Sequence, residues 1–145
     1  MSKSVLFQVL CCCASVAYAE SIPVYIGTYT GSGGSQGIYR SLLDLDTGQL
    51  PAPALAAEAQ NPSFLEIHPN GRFLYAVSEV GKGAAVSAFR INSDSGTLRF
   101  LNKQPSGGAA PCHVSIDPGA RHLLVANYSG GSAAVFPIKG DGRLG

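Results

Sequence analysis

Two kinds of apolar run take turns along this chain. FLEIH at 64–68 and HVSID at 113–117 alternate apolar and polar positions with period two, which predicts half-buried β-strands. Each runs into a proline turn, HPNG or DPGA, and out into RFLYAVSE or RHLLVANY. These second runs are more continuously apolar, which predicts strands covered on both faces. The two stretches are copies of each other: PSFLEIHPNGRFLYAVSE at 62–79 returns as PCHVSIDPGARHLLVANY at 111–128, displaced by 49 residues throughout. A glycine-rich bend, a third strand and a tight turn follow in both, as GAAVSAFRI then NSDSGTL and as SAAVFPI then KGDGRL. VYIGTY at 24–29 reads like LYAVSE and LLVANY, and residues 37–50 match the third strand, turn and fourth strand of an earlier unit. Leu50, Leu98 and Leu144 mark the three turns. No helical periodicity occurs after residue 20.

A strand-built period of this size predicts an all-β array, a β-propeller of four-stranded antiparallel blades. One such sheet cannot bury both its faces and needs neighbours. Because VYIGTY corresponds to strand two, the first unit lacks a strand one of its own. The chain is expected to hold about two and a half blades where closed rings need about four to eight. It therefore reads as the front part of a longer propeller, with inner strands starting near residues 63 and 112.

Composition changes this picture mainly at the N-terminus. Lys3, an apolar stretch at 5–16 and the small-x-small triplet Ala17, Tyr18, Ala19 form a secretory signal pattern over residues 1–19. The apolar stretch is too short to span a bilayer comfortably, so the expectation is an exported protein, periplasmic or secreted, with no membrane attachment after cleavage. The propeller portion is then 20–145. Cys11, Cys12 and Cys13 leave with the signal, so Cys112 has no partner for an internal disulfide. The residues preceding those three cysteines are poor for lipidation. With ten basic against nine acidic residues in the whole chain, electrostatic capture of nucleic acid is excluded as a function class.

The residues themselves carry a resemblance. YIGTYT, NPSFLEIHPNGRFLYAVSE and above all APCHVSIDPGARHLLVANYSGGSAAVFPI resemble the lactonase family of seven-bladed β-propellers, which includes bacterial 6-phosphogluconolactonases and fungal carboxy-muconate cyclising enzymes. The similarity covers residues 24–145. It implies a lactone-ring hydrolase acting on a small-molecule lactone, without a cofactor, and a His at the PxH position at the mouth of the central channel. It also implies arginines and a glutamate from later blades, beyond residue 145. Export argues for a free sugar lactone or another small lactone, since the phosphorylated substrate is a cytoplasmic metabolite. The alternatives are a lactone-forming or isomerising enzyme of the muconate type, and a non-catalytic binding propeller.

Strand reversal gathers the candidate chemistry at one end of the blades. The entrance to strand one and the exit from strand two share a face, which would hold Asn61, Ser63, Cys112 and His113 with Glu79, Asn127 and Tyr128; HPNG and DPGA would lie opposite. His113 is the first catalytic candidate because imidazole can activate water or assist a leaving alkoxide near neutral pH. Its bland alternative is a hydrogen bond to a loop carbonyl. Glu79 is the second, since its counterpart in the next unit is Tyr128 and the repeat does not require a carboxylate there; a solvated loop acid is the competing reading. Asn61, Ser63, Asn127 and Tyr128 are candidate substrate contacts, although asparagines at such places commonly brace turns. His68 aligns with Asp117 as a turn cap, and His122 replaces Phe73 as a packed or edge residue. Cys112 aligns with Ser63 and reads as a small buried residue. The histidine spacing does not fit a metal site. The glycine run at 31–37 leads into a strand rather than a helix, which argues against a phosphate loop.

Overall fold

The computed structural model describes residues 20–31 and 34–145. The expected signal segment, 1–19, lies outside the described residues. Ten strands follow in order: β1 (Ser21–Ile26), β2 (Gly37–Asp44), β3 (Ala54–Glu58), β4 (Leu65–Ile67), β5 (Phe73–Ser78), β6 (Ala85–Ile91), β7 (Leu98–Pro105), β8 (Pro111–Ile116), β9 (His122–Asn127) and β10 (Ser132–Pro137). They form three antiparallel sheets: β1-β2-β3, β4-β5-β6-β7 and β8-β9-β10. Among the described residues there is no helix, as the periodicity predicts, and none therefore long and apolar enough to cross a membrane. Among the described residues the first sheet lacks an inner strand, in line with the alignment of VYIGTY to strand two.

The doubly apolar strand is sandwiched between neighbouring sheets. In β5, Phe73, Tyr75 and Val77 join Val114, Leu123 and Val125 of the third sheet. The alternate residues Leu74 and Ala76 join Ile38 and Ala56 of the first. Each such large apolar side chain contributes roughly 1.5–3 kcal/mol by leaving water, so the two seams hold the sheets together. Leu144 is fully buried in the later seam, where Asn102 of β7 pairs with its backbone N–H and C=O.

A repeated latch adds direction to these contacts. Tyr25 donates to the carbonyl of Gly96 at 2.7 Å, and Tyr75, one sheet later, donates to that of Gly142 at 3.1 Å. In both cases a strand-two tyrosine grips the tight turn of the following sheet. Gly96 and Gly142 have φ of 67° and 89°, and a Cβ would strike Arg40 at the first and Phe73 at the second. The next counterpart, Leu124, has no hydroxyl and is 41% exposed.

Two details depart from the predicted pattern. The fourth strand of the first sheet starts only at Ala54, after Pro51 and Pro53, which lack the N–H that a ladder requires. Leu50 is accordingly 48% exposed, whereas Leu98 and Leu144 are buried. The second departure is a bulge in β8: Pro111 pairs with Asn127 and His113 with Ala126, leaving Cys112 as an extra residue. It lies at the candidate site.

Candidate functional site

The sharpest backbone feature of the site is repeated. Asn61 and Ala110, each directly before a proline, have φ of 42° and 51°. Both properties disfavour this conformation: a side-chain Cβ crowds the left-handed region, and a following proline pushes its predecessor toward extended geometry. The tertiary structure holds it in place. The carbonyls of Asn61 and Ala110 accept the N–H of Glu79 and of Tyr128, at 3.0 and 2.9 Å. In each sheet this fixes the end of strand two against the entrance of strand one.

Asn61 ties two sheets together through its side chain. Its Oδ1 accepts from the N–H and the hydroxyl of Thr30, at 2.8 and 3.1 Å, and its Nδ2 donates to the Glu79 carbonyl at 3.2 Å. The amide is thus engaged within the protein. Asn127 is braced likewise: only 3% exposed, it donates to the Ser106 carbonyl and the Ser132 hydroxyl, and its Oδ1 is buried without a partner. Both asparagines, expected as substrate contacts, make these hydrogen bonds to loops of the protein itself.

Glu79, whose carbonyl the Asn61 amide grips, gathers two hydroxyls on its carboxylate. Its Oε2 accepts from the hydroxyl of Tyr29 at 2.8 Å and also from the hydroxyl of Ser63. The Glu79 hydrogen bond is the main cause that raises the Tyr29 hydroxyl above its ordinary pKa. No Lys or Arg forms an ion pair with Glu79 among the described residues. The sequence pattern does not single out Tyr29, yet a signal is there: 29, 79 and 128 are the same position in successive units. Tyr128, the third of them, is 81% exposed.

His113 is exposed, and its ring packs 4.4 Å from the ring of Phe64 at 45°. Phe64 is its counterpart in the previous unit. Two pairs of repeat-equivalent residues, Tyr29 with Glu79 and Phe64 with His113, therefore meet across sheet boundaries. Ser63 and Phe64, adjacent in sequence, link the pairs. The loop-carbonyl bond considered for His113 is not formed among the described residues. The bulge at Cys112 aims the imidazole, since one extra residue decides which side chains of a strand share a face. Val114 beyond it is buried at 1%. Cys112 itself is half-buried rather than buried, with Sγ 3.8 Å from the Ala126 carbonyl.

The opposite end of the sheets carries the turn caps, as expected. Asp117 accepts the N–H groups of His122, Arg121 and Gly119, which hold its carboxyl below the usual range. His68 accepts the Asn70 N–H on Nδ1 at 3.2 Å, which leaves Nε2–H to donate to the Ala120 carbonyl of the next sheet. His122 is half-buried, with Nδ1 3.7 Å from Asp117. Among the described residues no group of three His, Cys, Asp or Glu converges as a metal site would. Depressions of about 520 and 380 Å³ flank Glu58, Ala59 and Gln60, and neither includes His113 or Glu79. The candidate chemistry lies instead on the open end of the inner strands.

A family model described as lactonase, seven-bladed β-propeller, matches residues 23–145. The chain belongs to this lactonase family. It is 42% identical over 120 residues to a 6-phosphogluconolactonase of Bacillus subtilis, covering 83% of this chain and 34% of that protein. A 6-phosphogluconolactonase of Formosa agariphila is 30% identical over 123 residues, covering 83% and 35%. The solved structure of the periplasmic gluconolactonase of Pseudomonas aeruginosa superposes with a TM-score of 0.78 at 33% identity, over 86% of this chain and 36% of that one. The chain thus spans about one third of the length of the lactonase relatives it matches. Its three sheets are successive blades of the family's propeller.

Proposed function

We propose that the complete protein is a lactone-ring hydrolase and that His113 is its proton-transfer residue. The observation that carries this reading is an exposed imidazole, aimed by a bulge at the mouth of an inner strand, in a chain of the lactonase family. In the reaction, water adds to the ring carbonyl while His113 takes its proton. The tetrahedral intermediate collapses, the ring C–O bond breaks, and the proton passes to the departing alkoxide, giving the open hydroxy acid. Glu79, with Oε2 occupied by two hydroxyls, serves as a fixed acceptor that touches substrate. Tyr128 stands exposed one blade further on and is a second substrate contact.

The substrate fitting this reading is an unphosphorylated sugar lactone, and the protein an exported one. The secretory pattern at 1–19 supports both inferences, and the similarity to a periplasmic gluconolactonase is in keeping with them. Turnover of glucono-δ-lactone by His113→Ala, with spontaneous ring opening subtracted, is expected to fall about 100-fold or more, within the span of general acid–base groups. His122→Ala, at the other end of the blade, is the suitable comparison. His68→Ala is unsuitable because it would remove a bond between blades. Equal small losses in the His113 and His122 variants would leave His113 without a catalytic role.

A further inference from the structure

We propose that Tyr29 is a positioning residue: with Ser63 it locks the Glu79 carboxylate so that its free oxygen, Oε1, accepts a hydrogen bond from a ring hydroxyl of the substrate, selecting polyhydroxylated lactones. The inference rests on the lactonase reading and names the substrate feature that the site recognises.

Both hydroxyl donors converge on the same oxygen, Oε2. Among the described residues Oε1 accepts no hydrogen bond, and no cation pairs with the carboxylate. A carboxylate oxygen can only accept, so what completes it is a donor. On a lactone ring the available donors are hydroxyl groups, because the ring oxygen and carbonyl are acceptors themselves. Fixing the carboxylate beforehand matters, since a free side chain would lose rotamer entropy on binding. The lock is itself anchored. Tyr29 precedes Thr30, which the Asn61 amide holds, and the same amide grips the Glu79 backbone. First- and second-blade residues are thereby set relative to one another before any substrate arrives. A site that hydrogen-bonds a substrate hydroxyl rejects the analogue lacking it far more strongly than an apolar pocket rejects a missing methylene.

The test compares Tyr29→Phe, Glu79→Gln and the double variant in the complete protein, on glucono-δ-lactone and on δ-valerolactone, which has the same ring without hydroxyls. The kcat/KM preference for the hydroxylated lactone is expected to fall about ten-fold in Glu79→Gln and about three-fold in Tyr29→Phe, chiefly through KM. Because Tyr29 acts through Glu79, adding Tyr29→Phe to Glu79→Gln should change the preference no further. Calorimetric binding of glucono-δ-lactam, which does not hydrolyse, against δ-valerolactam reads the same preference without turnover. Loss of preference in binding with no lactone hydrolysis by the parent protein would retain the hydroxyl reading and remove the lactonase one. An unchanged preference in both single variants, or additive losses in the double variant, would overturn the proposal.

Discussion

Ala110 shows what the backbone at Asn61 does without a side-chain amide. Both residues hold positive φ before a proline, so the turn itself survives the absence of the amide. The amide adds three side-chain hydrogen bonds, two that join the first blade to the second and one within the second. Asn61→Ala is therefore expected to keep the fold and to lose about 2–3 kcal/mol in chemical denaturation, near 1 kcal/mol for each bond. Asn61→Asp keeps the acceptor of two of them and should lose less. The Tyr29 hydroxyl offers an independent check, since the Glu79 carboxylate beside it favours its neutral form. Its titration, followed by NMR, should lie above the ordinary tyrosine value and fall back toward it in Glu79→Gln. At this scale the sequence was only half informative. His113 and Glu79 stand out by residue type, but the bonds of the Asn61 and Asn127 amides reach residues 31 and 21 positions away, which no local pattern encodes.

Strand pairing was far more legible, for a physical reason. Burial on both faces of β5 leaves an almost unbroken apolar run, and the turn prolines and glycines delimit it, so each strand pair is written locally. Elements set by an exception to the ladder were not legible. The delayed start of β3 follows from Pro51 and Pro53, and the bulge at Cys112 has no residue signature, since serine stands at the same place one blade earlier. The tyrosine latch was also hidden, because Tyr25 and Tyr75 read as ordinary strand residues until the turn glycines come beneath them. Its energetics can be tested by pH. Burial pushes the Tyr75 hydroxyl up to about 12, above its ordinary value of 10.0. A folded-state pKa raised in this way stabilises the protein fully below pH 10, and the contribution is lost as pH rises from about 10 to 12. The size of the shift corresponds to up to about 2–3 kcal/mol. Tyr75→Phe should lower the melting temperature at pH 8 by removing the bond to Gly142. The gap between the two proteins should shrink as pH climbs past 10, because the parent alone loses this contribution. A gap that stays constant from pH 8 to 11 would show that Tyr75 does not titrate with unfolding.

Across the whole molecule the seams are unequal, and the inequality predicts behaviour. The second blade is covered on both faces, by Ile38 and Ala56 on one side and by Leu123 and Val125 on the other. On the third blade Leu124 and Val135 are paired across β9 and β10 and are 41% and 59% exposed, with Ala126 and Ala133 paired beside them. Leu124 and Pro137 also stand where the preceding blade carries Tyr75 and Arg90, so this face lacks the groups that grip a following turn. An apolar sheet face of this kind is a site of association in whatever form of the protein leaves it open. Residues 20–145 expressed alone are therefore expected to self-associate, with an apparent mass in sedimentation that rises with concentration. Leu124→Lys combined with Val135→Glu should return that species toward a monomer while leaving the two internal seams intact, because neither residue belongs to either core cluster. The opposite result, a monomeric parent with one sharp thermal transition, would mean that two seams suffice for independent folding and that the exposed face of β9 and β10 is tolerated by water.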